Sequence, residues 1–430
     1  MRPHRRTRET SGVLRPLILR DLMTDAKKTA ISICINSRFT YNCWVNNHRP
    51  VGGAERDLTN VMRYLNEDGR FKFTLISETC GDKLSDDSII DGVLIRNAGM
   101  PNFERVKILR PLAYLVYALR LLCANMTVHT DIFFAEGCSV AMIMMWLAAK
   151  IRRKPCVFRY ASISELDKEI LNSTKNTHGK IATKLFDFAI RTMTQSIAQT
   201  TDQANLFEEK FGHQIPIIYN ILNIEPLSEK ELASSLAQRD NILWLGRCHS
   251  VKRPELFLKL AKALPQYRFV MVAPEAAGEE KFKTEIEQQA REIDNLTFIG
   301  GVEPDKVAQY YRSARVFIMT SVYEGFSNTM TEAFSQGTPV VAYSFAITGW
   351  LEPLNKNANM ADLDVAGTII LTTPGYCCQA NDETFIEMTK RLMNNDDAWL
   401  QSANLALQHA HKMKPHTITD QYKSIFEKLA

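Results

Sequence analysis

The 430-residue chain has no Cys-x-x-Cys pair and no Cys/His spacing of the kind that ligates a metal. Its nine cysteines are odd in number and scattered, with Cys377 and Cys378 adjacent. That usage reads as reduced thiols of a cytoplasmic protein, not as a disulfide framework. Long apolar runs are missing too: the longest candidate, residues 140–149, falls well short of the ~18 needed to cross a bilayer. The Arg-rich start, M-R-P-H-R-R-T-R, precedes no apolar stretch with a small-residue cleavage site, so no secretory signal is expected. Neither charge sign is in large excess. A net charge of +4 is small for this length and excludes a dedicated nucleic-acid binder. What remains is ordinary globular composition, 45% hydrophobic and 23% charged, with length for two to three domains of ~150 residues.

Residues 1–28 read as a basic, largely disordered tail carrying the apolar patch V-L-R-P-L-I-L. Such a tail is either solvated or held to anionic lipid through its cations. Strand and helix patterns then alternate. Residues 29–36 form a buried-strand pattern, and Gly52-Gly53 opens a helical run with Leu58, Val61, Met62 and Leu65 on one face. A strand is expected at 71–77. Residues 104–122 predict one long helix with Arg105, Lys107, Arg110 and Arg120 beside Ile108, Leu112, Leu115, Val116 and Leu119. Core packing is its first reading, and a basic-apolar face on a membrane its second. Strands at 131–135, 156–160, 195–199 and 216–219, with helices between them, complete one doubly wound parallel domain over residues 29–221. A linker falls at 221–227, and the alternation starts afresh over 222–414, including a short strand at 368–371. A last helix, 415–430, is expected to pack back on the first domain. The fold class is therefore α/β: two Rossmann-like domains facing across a cleft.

The chemistry gathers in the second half. Residues 321–332, S-V-Y-E-G-F-S-N-T-M-T-E, lie between an apolar strand pattern and a helix. A helix start there offers open N–H groups and positive dipole to an anion. Arg247 and Lys252 flank a loop after the first strand of this half, and two such cations suit a diphosphate. The N–H groups of Phe326, Ser327, Asn328 and Thr329 would add to them. Glu324 and Glu332 do not suit an anion site, but they do suit sugar hydroxyls. Each of these residues alone is commonly a surface charge; their convergence at one sheet edge is the signal.

Four stretches in order carry a resemblance: V-G-G-A-E-R at 51–56, L-G-R with K-R-P at 245–254, E-G-F-S-N-T-M-T-E at 324–332, and G-T-P-V-V-A at 337–342. The chain resembles the family 4 glycosyltransferases of the GT-B fold. The resemblance implies retaining transfer of a hexose-type sugar from a nucleotide diphosphate sugar (UDP- or GDP-type) to a glycan or lipid-linked acceptor, as in cell-surface polysaccharide or glycolipid synthesis. It implies no protein-held metal and no tightly bound cofactor, a cytoplasmic location, and contact with the inner face of a membrane as an added option. Carried over by position, Glu324, Arg247 and Lys252 are catalytic, with the two cations on the diphosphate and Glu324 facing the sugar. Gly52, Gly53, Phe326, Ser327, Asn328, Thr329, Glu332 and Arg159 bind the donor, Glu332 through the ribose. His48, Arg49 and Glu136 are candidates for the acceptor side. The chain departs from the pattern after Ala342, where Gly349 and Glu352 are the nearest substitutes, and at Ala273-Pro274-Glu275, where many members carry Gly-x-Gly. A nucleotide-sugar epimerase of the same fold and a non-catalytic sugar-binding subunit stay open as alternatives.

Overall fold

The computed structural model describes residues 30–45, 52–78, 87–166, 180–276, 278–322, 324–344, 375–378 and 380–430. The first sheet holds β1 (Ile31–Asn36), β2 (Phe71–Ser77), β3 (Asp87–Ile90), β4 (Val93–Asn97), β5 (Ile132–Glu136), β6 (Cys156–Arg159) and β7 (Gln195–Ile197). Its order is β3-β4-β2-β1-β5-β6-β7, parallel throughout except that β3 runs antiparallel to β4. Strands covered on both faces have no need of alternation, and β5, I-F-F-A-E, is buried at every position.

One face of this sheet is covered by α1 (Thr40–Trp44) and α2 (Gly53–Asn66), the other by α3 (Arg110–Thr127), α4 (Val140–Arg152), α5 (Lys180–Arg191) and α6 (Thr201–Phe211). Helix α2 buries Leu58, Val61, Met62 and Leu65, the spacing of a single helical stripe. Ser139 caps α4 and Thr200 caps α6, each accepting a first-turn N–H.

The second sheet holds β8 (Asn241–Leu245), β9 (Arg268–Val272), β10 (Leu296–Ile299), β11 (Ala314–Met319), β12 (Val340–Ala342) and β13 (Gly375–Cys377), in the order β10-β9-β8-β11-β12-β13 and all parallel. Around it lie α7 (Glu229–Ser235), α8 (Pro254–Ala263), α9 (Glu280–Arg291), α10 (Val307–Ser313), α11 (Asn328–Ser335), α12 (Asp382–Asn394) and α13 (Asp396–His411). Core membership changes between neighbours: Ile221 packs with the first sheet and Leu222 with the second. The Leu222 N–H donates to Met413 O at 2.9 Å, so the outward and returning crossings lie side by side. After Met413 the chain re-enters the first core as α14 (Pro415–Leu429), burying Ile418, Tyr422 and Phe426 there.

Two expectations need correction, and one element is new. Residues 104–122 are not one helix: two 3₁₀ turns, Asn102–Arg105 and Lys107–Leu109, come before α3. Pro111 has no N–H to give and is suited to a helix's first turn, where the structure places it. Residues 216–219 form no strand; Pro216 removes a ladder donor, and a single bridge, Ala198 to Ile217, remains. The β3–β4 hairpin was not anticipated. Its Asp91-Gly92 turn has both φ values positive, 48° and 78°, which is the pairing an Asp-Gly dipeptide favours. The strand expected at 368–371 lies outside the described residues.

Phe426 is fully buried, with ring centroids 5.9 Å from Phe134, 6.2 Å from Phe71 and 5.8 Å from Tyr422. Phe426→Ala is expected to lower unfolding free energy by about 3–5 kcal/mol, read as an earlier urea midpoint.

Candidate functional site

Beside β8 the strand order reverses: β9 lies on one side and β11 on the other. Open α/β sheets bind ligands at such a switch point, outside the carboxyl ends of the strands. The loops after β8 and β11 are bonded together there. Trp244 Nε1 donates to Thr320 Oγ1 at 2.9 Å, and that hydroxyl donates to Lys252 O at 2.5 Å. The Val322 N–H donates to Val251 O at 2.9 Å. Arg253 donates from Nε to Thr320 O at 2.8 Å and lies over the Tyr343 ring.

This frame sets the central contact. Lys252 Nζ bonds Glu324 Oε1, and the same oxygen accepts from Ser321 Oγ at 2.6 Å. Glu324 is only 9% exposed, and Lys252 is the cation it pairs with there. Arg247 emerges from the same loop and is exposed. Among the described residues no carboxylate forms an ion pair with it.

Helix α11 begins at this edge. Ser327 caps it by accepting the Met330 N–H at 3.4 Å, and its hydroxyl lies 2.9 Å from that of Thr329. The first N–H groups of such a helix have no intrahelical partner. Phe326 packs against Tyr219 with centroids 6.0 Å apart. Asn328 Oδ1 accepts from Asn220 Nδ2 at 3.0 Å. One turn on, Glu332 Oε2 accepts from the Tyr311 hydroxyl at 3.1 Å, and Arg56 of α2 lies 4.0 Å from Oε1. Burial pushes the Glu332 carboxyl above its ordinary value, against the opposing pull of Arg56 and the Tyr311 hydroxyl.

The first domain closes over this edge. A Cβ on Gly53 would stand 3.4 Å from Asn328 Nδ2, so α2 starts in contact with the head of α11. The approach at Gly325 is tighter. A Cβ there would lie 2.1 Å from Ala161 O and 3.0 Å from Ser162 Cα, and only glycine fits. The loop after β6 thus rests on the loop after β11.

Arg159 does not line this cleft. It is 0% exposed and bonds Asp57, Glu136 Oε2 at 3.4 Å, Ile218 O at 3.2 Å and Asn220 Oδ1 at 2.6 Å. A guanidinium sealed from solvent offers no face to a ligand, so its role is structural. Burial alone would lower its pKa; Asp57, Tyr422 and Glu136 carry it upward. Glu136 is likewise removed from the acceptor side: it is buried between Arg159 and Gln199, whose Nε2 donates to it at 2.8 Å. Burial raises its carboxyl well above the ordinary value. His48, Arg49, Gly349 and Glu352 lie outside the described residues. Among those described, no cluster of three or more His, Cys, Asp or Glu could hold a metal ion. Arg56, Asp57, Asn220, Tyr311 and Ser321 were not anticipated. Arg56 sits inside the V-G-G-A-E-R stretch and Ser321 opens the 321–332 stretch, whereas Asp57, Asn220 and Tyr311 carry no motif and are found only through their partners.

Residues 229–359 match the model of the family described as Glycosyl transferases group 1. The chain is 29% identical over 139 residues to the D-inositol 3-phosphate glycosyltransferase of Mycobacteroides abscessus, a stretch that is 29% of this chain and 31% of that one. The chain spans less than two thirds of the length of that relative. Among solved structures, the sucrose-phosphate synthase of Thermosynechococcus elongatus superposes with a TM-score of 0.69 at 15% identity, over 93% of this chain and 99% of that one. The HepE protein of Anabaena, solved in complex with UDP-glucose, gives 0.65 at 16% identity, over 93% and 100%. At such identities the likeness is one of fold, the GT-B arrangement of two Rossmann-like domains.

Two outcomes are expected. Arg159→Ala leaves Asp57 and Glu136 buried without their cation, which costs about 3–5 kcal/mol in chemical denaturation. For Glu332, folding favours the protonated form. That stabilisation is complete below the ordinary value of about 4.3 and is lost as pH rises through the higher folded value. Glu332→Gln should therefore gain melting temperature relative to wild type as pH rises through that window, then level off.

Proposed function

We propose that this chain is a retaining glycosyltransferase that moves a hexose-type sugar from a nucleotide diphosphate sugar to a glycan or lipid-linked acceptor. The observation that carries the reading is the Lys252–Glu324–Ser321 contact at the switch point of the second sheet, closed over by the first domain at Gly325. The match of residues 229–359 to a glycosyltransferase family supports it.

In this reading Lys252 and the exposed Arg247 take the diphosphate, joined by the open N–H groups at Asn328 and Thr329. Their charge stabilises the departing phosphate as the glycosidic bond breaks, which is where fixed dipoles and cations act most strongly. Glu324 receives both protein bonds on Oε1, leaving Oε2 to accept from sugar hydroxyls. A carboxylate neutralised in this way is a poor nucleophile, and attack from the leaving-group face suits the site better. In the same reading Glu332, one turn deeper in α11, accepts from the ribose; its contacts with Arg56 and Tyr311 support that role. Gly52 and Gly53 let the start of α2 approach the donor without side chains in between.

A thermal-shift panel of UDP-, GDP- and ADP-sugars tests the proposal, because a bound ligand raises apparent stability by mass action. At least one donor should raise the melting temperature of the wild type and be slowly hydrolysed. Glu324→Gln and Lys252→Ala are each expected to cut turnover by about 10²–10³-fold with the fold intact. A folded wild type that neither binds nor hydrolyses any member of the panel overturns the reading.

A further inference from the structure

One side chain staples the loop after β6 to the loop after β5. Ser162 caps the 3₁₀ turn Ile163–Glu165, and Glu165 at its end turns back over the cap. Its Oε1 accepts the Cys138 N–H at 2.6 Å, and its Oε2 accepts the N–H groups of Ala161 at 2.9 Å and Ser162 at 3.4 Å. A glutamate that served only as a cap would need the Ser162 N–H alone. Here that bond is the longest of the three. The shorter two reach a residue outside the turn and a residue on another strand's loop. The β5 loop is shaped to meet the carboxylate: Gly137 takes a positive φ of 76°, and a Cβ there would stand 3.4 Å from Oε1. Each oxygen holds one loop, a task for which an amide, with its single acceptor oxygen, is not equipped.

The stapled loop forms a wall of the cleft. Ala161 O is the atom on which Gly325 rests, a Cβ on Gly325 lying only 2.1 Å from it. Gly325 directly follows Glu324, whose bonds on its own side, to Lys252 and Ser321, both fall on Oε1. Backbone packed on backbone has no rotamer with which to absorb a shift, so a displaced Ala161 moves the segment that carries Glu324.

We infer that Glu165 is a positioning residue for Glu324, acting through the Ala161 carbonyl on Gly325 across the cleft and not by contact with substrate. The inference rests on the reading of Glu324 as the group that faces the sugar. It also divides the site in two. At the nucleotide end Glu332 takes its contacts from Tyr311 of α10 and Arg56 of α2. Loss of the staple therefore disturbs the sugar end and leaves nucleotide binding as it was.

Glu165→Gln keeps the volume and one acceptor. With a donor found by the panel, its kcat should fall about 10–10²-fold, the loss expected when a reacting group is displaced by about 1 Å. Its KM for the donor, and the thermal shift given by the nucleoside diphosphate, should stay those of the wild type. Gly325→Ala presses on Ala161 O from the other domain and leaves every Glu165 bond in place. It should lose kcat to the same degree, and the double variant should lose little more than either single, since both act on one contact. Ser164→Ala, on the same turn but outside the staple, should keep the wild-type kcat. Amide hydrogen exchange of the ligand-free full chain reads the coupling without any sugar. In Glu165→Gln, protection should fall at Val322 and along α11 in the second domain as well as at residues 137–166. Loss confined to residues 137–166 would make Glu165 a local brace and overturn the inference. So would a raised KM at unchanged kcat, additive losses in the double variant, or an unchanged kcat in Gly325→Ala, which decides even where Glu165→Gln does not fold. A wild type that handles no donor overturns the function proposed above, and the exchange comparison still decides this inference.

Discussion

A guanidinium with no access to water holds the two halves in register. Removing a charge from solvent costs several kcal/mol unless partners surround it, and Arg159 finds them on separate parts of the chain. Asp57 comes from α2, Glu136 from β5, and Ile218 O and Asn220 from the approach to the interdomain crossing. Asp57 then accepts the Ile221 N–H at 2.9 Å through its other oxygen. The seat of α2, the edge of the central sheet and the exit path of the chain are fixed by one ion. Asn220 extends the network to Asn328 at the head of α11, so the candidate donor helix is aligned by a charge buried in the other domain.

Two kinds of contact bring the domains together around the cleft. At the crossings, Leu222 and Met413 are bonded backbone to backbone, and α14 is tied to the first domain by Arg70 with Glu427 and by Lys423 with Asp68. At the cleft edge the contact is glycine against backbone, Gly325 on Ala161. Side chains at such a point would hold the sheets apart; their absence lets the Lys252–Glu324 pair face the first domain at short range. Because the loops that carry these residues leave the ends of buried parallel strands, their positions follow from the rigid sheets.

The two-faced character of α3 shows why periodicity alone is an ambiguous guide. A helix apolar on opposite sides reads as buried all round, and core packing is a sound first reading of residues 104–122. The structure contradicts it for the residues it rested on: Ile108, Leu112, Leu115 and Leu119 are exposed and Val116 is half-buried, while Tyr117 and Leu121 on the other side face the core. Which side meets the core depends on α4 and the sheet, neither of which is visible in the local pattern.

The alternation of strands and helices, the restart of the pattern after residue 221 and the ordered stretches around Gly52, Arg247, Glu324 and Gly337 were all legible, because hydrophobic period, glycine and caps act over a few residues. Motif logic also brought Lys252 and Glu324 to one edge, where they touch. Local pattern could not tell Arg159 from a cleft arginine, since its burial is made by α2, β5, Asn220 and α14 from four distant stretches. Nor could it supply Tyr311 and Arg56 for Glu332, or show that Gly325 meets Ala161. By itself the sequence determined the elements and the chemical groups at their ends, through short-range sterics and periodicity. Only the tertiary structure decided which of those groups face the cleft and which are sealed in the core, because burial and charge pairing are properties of segments that meet far apart in the chain.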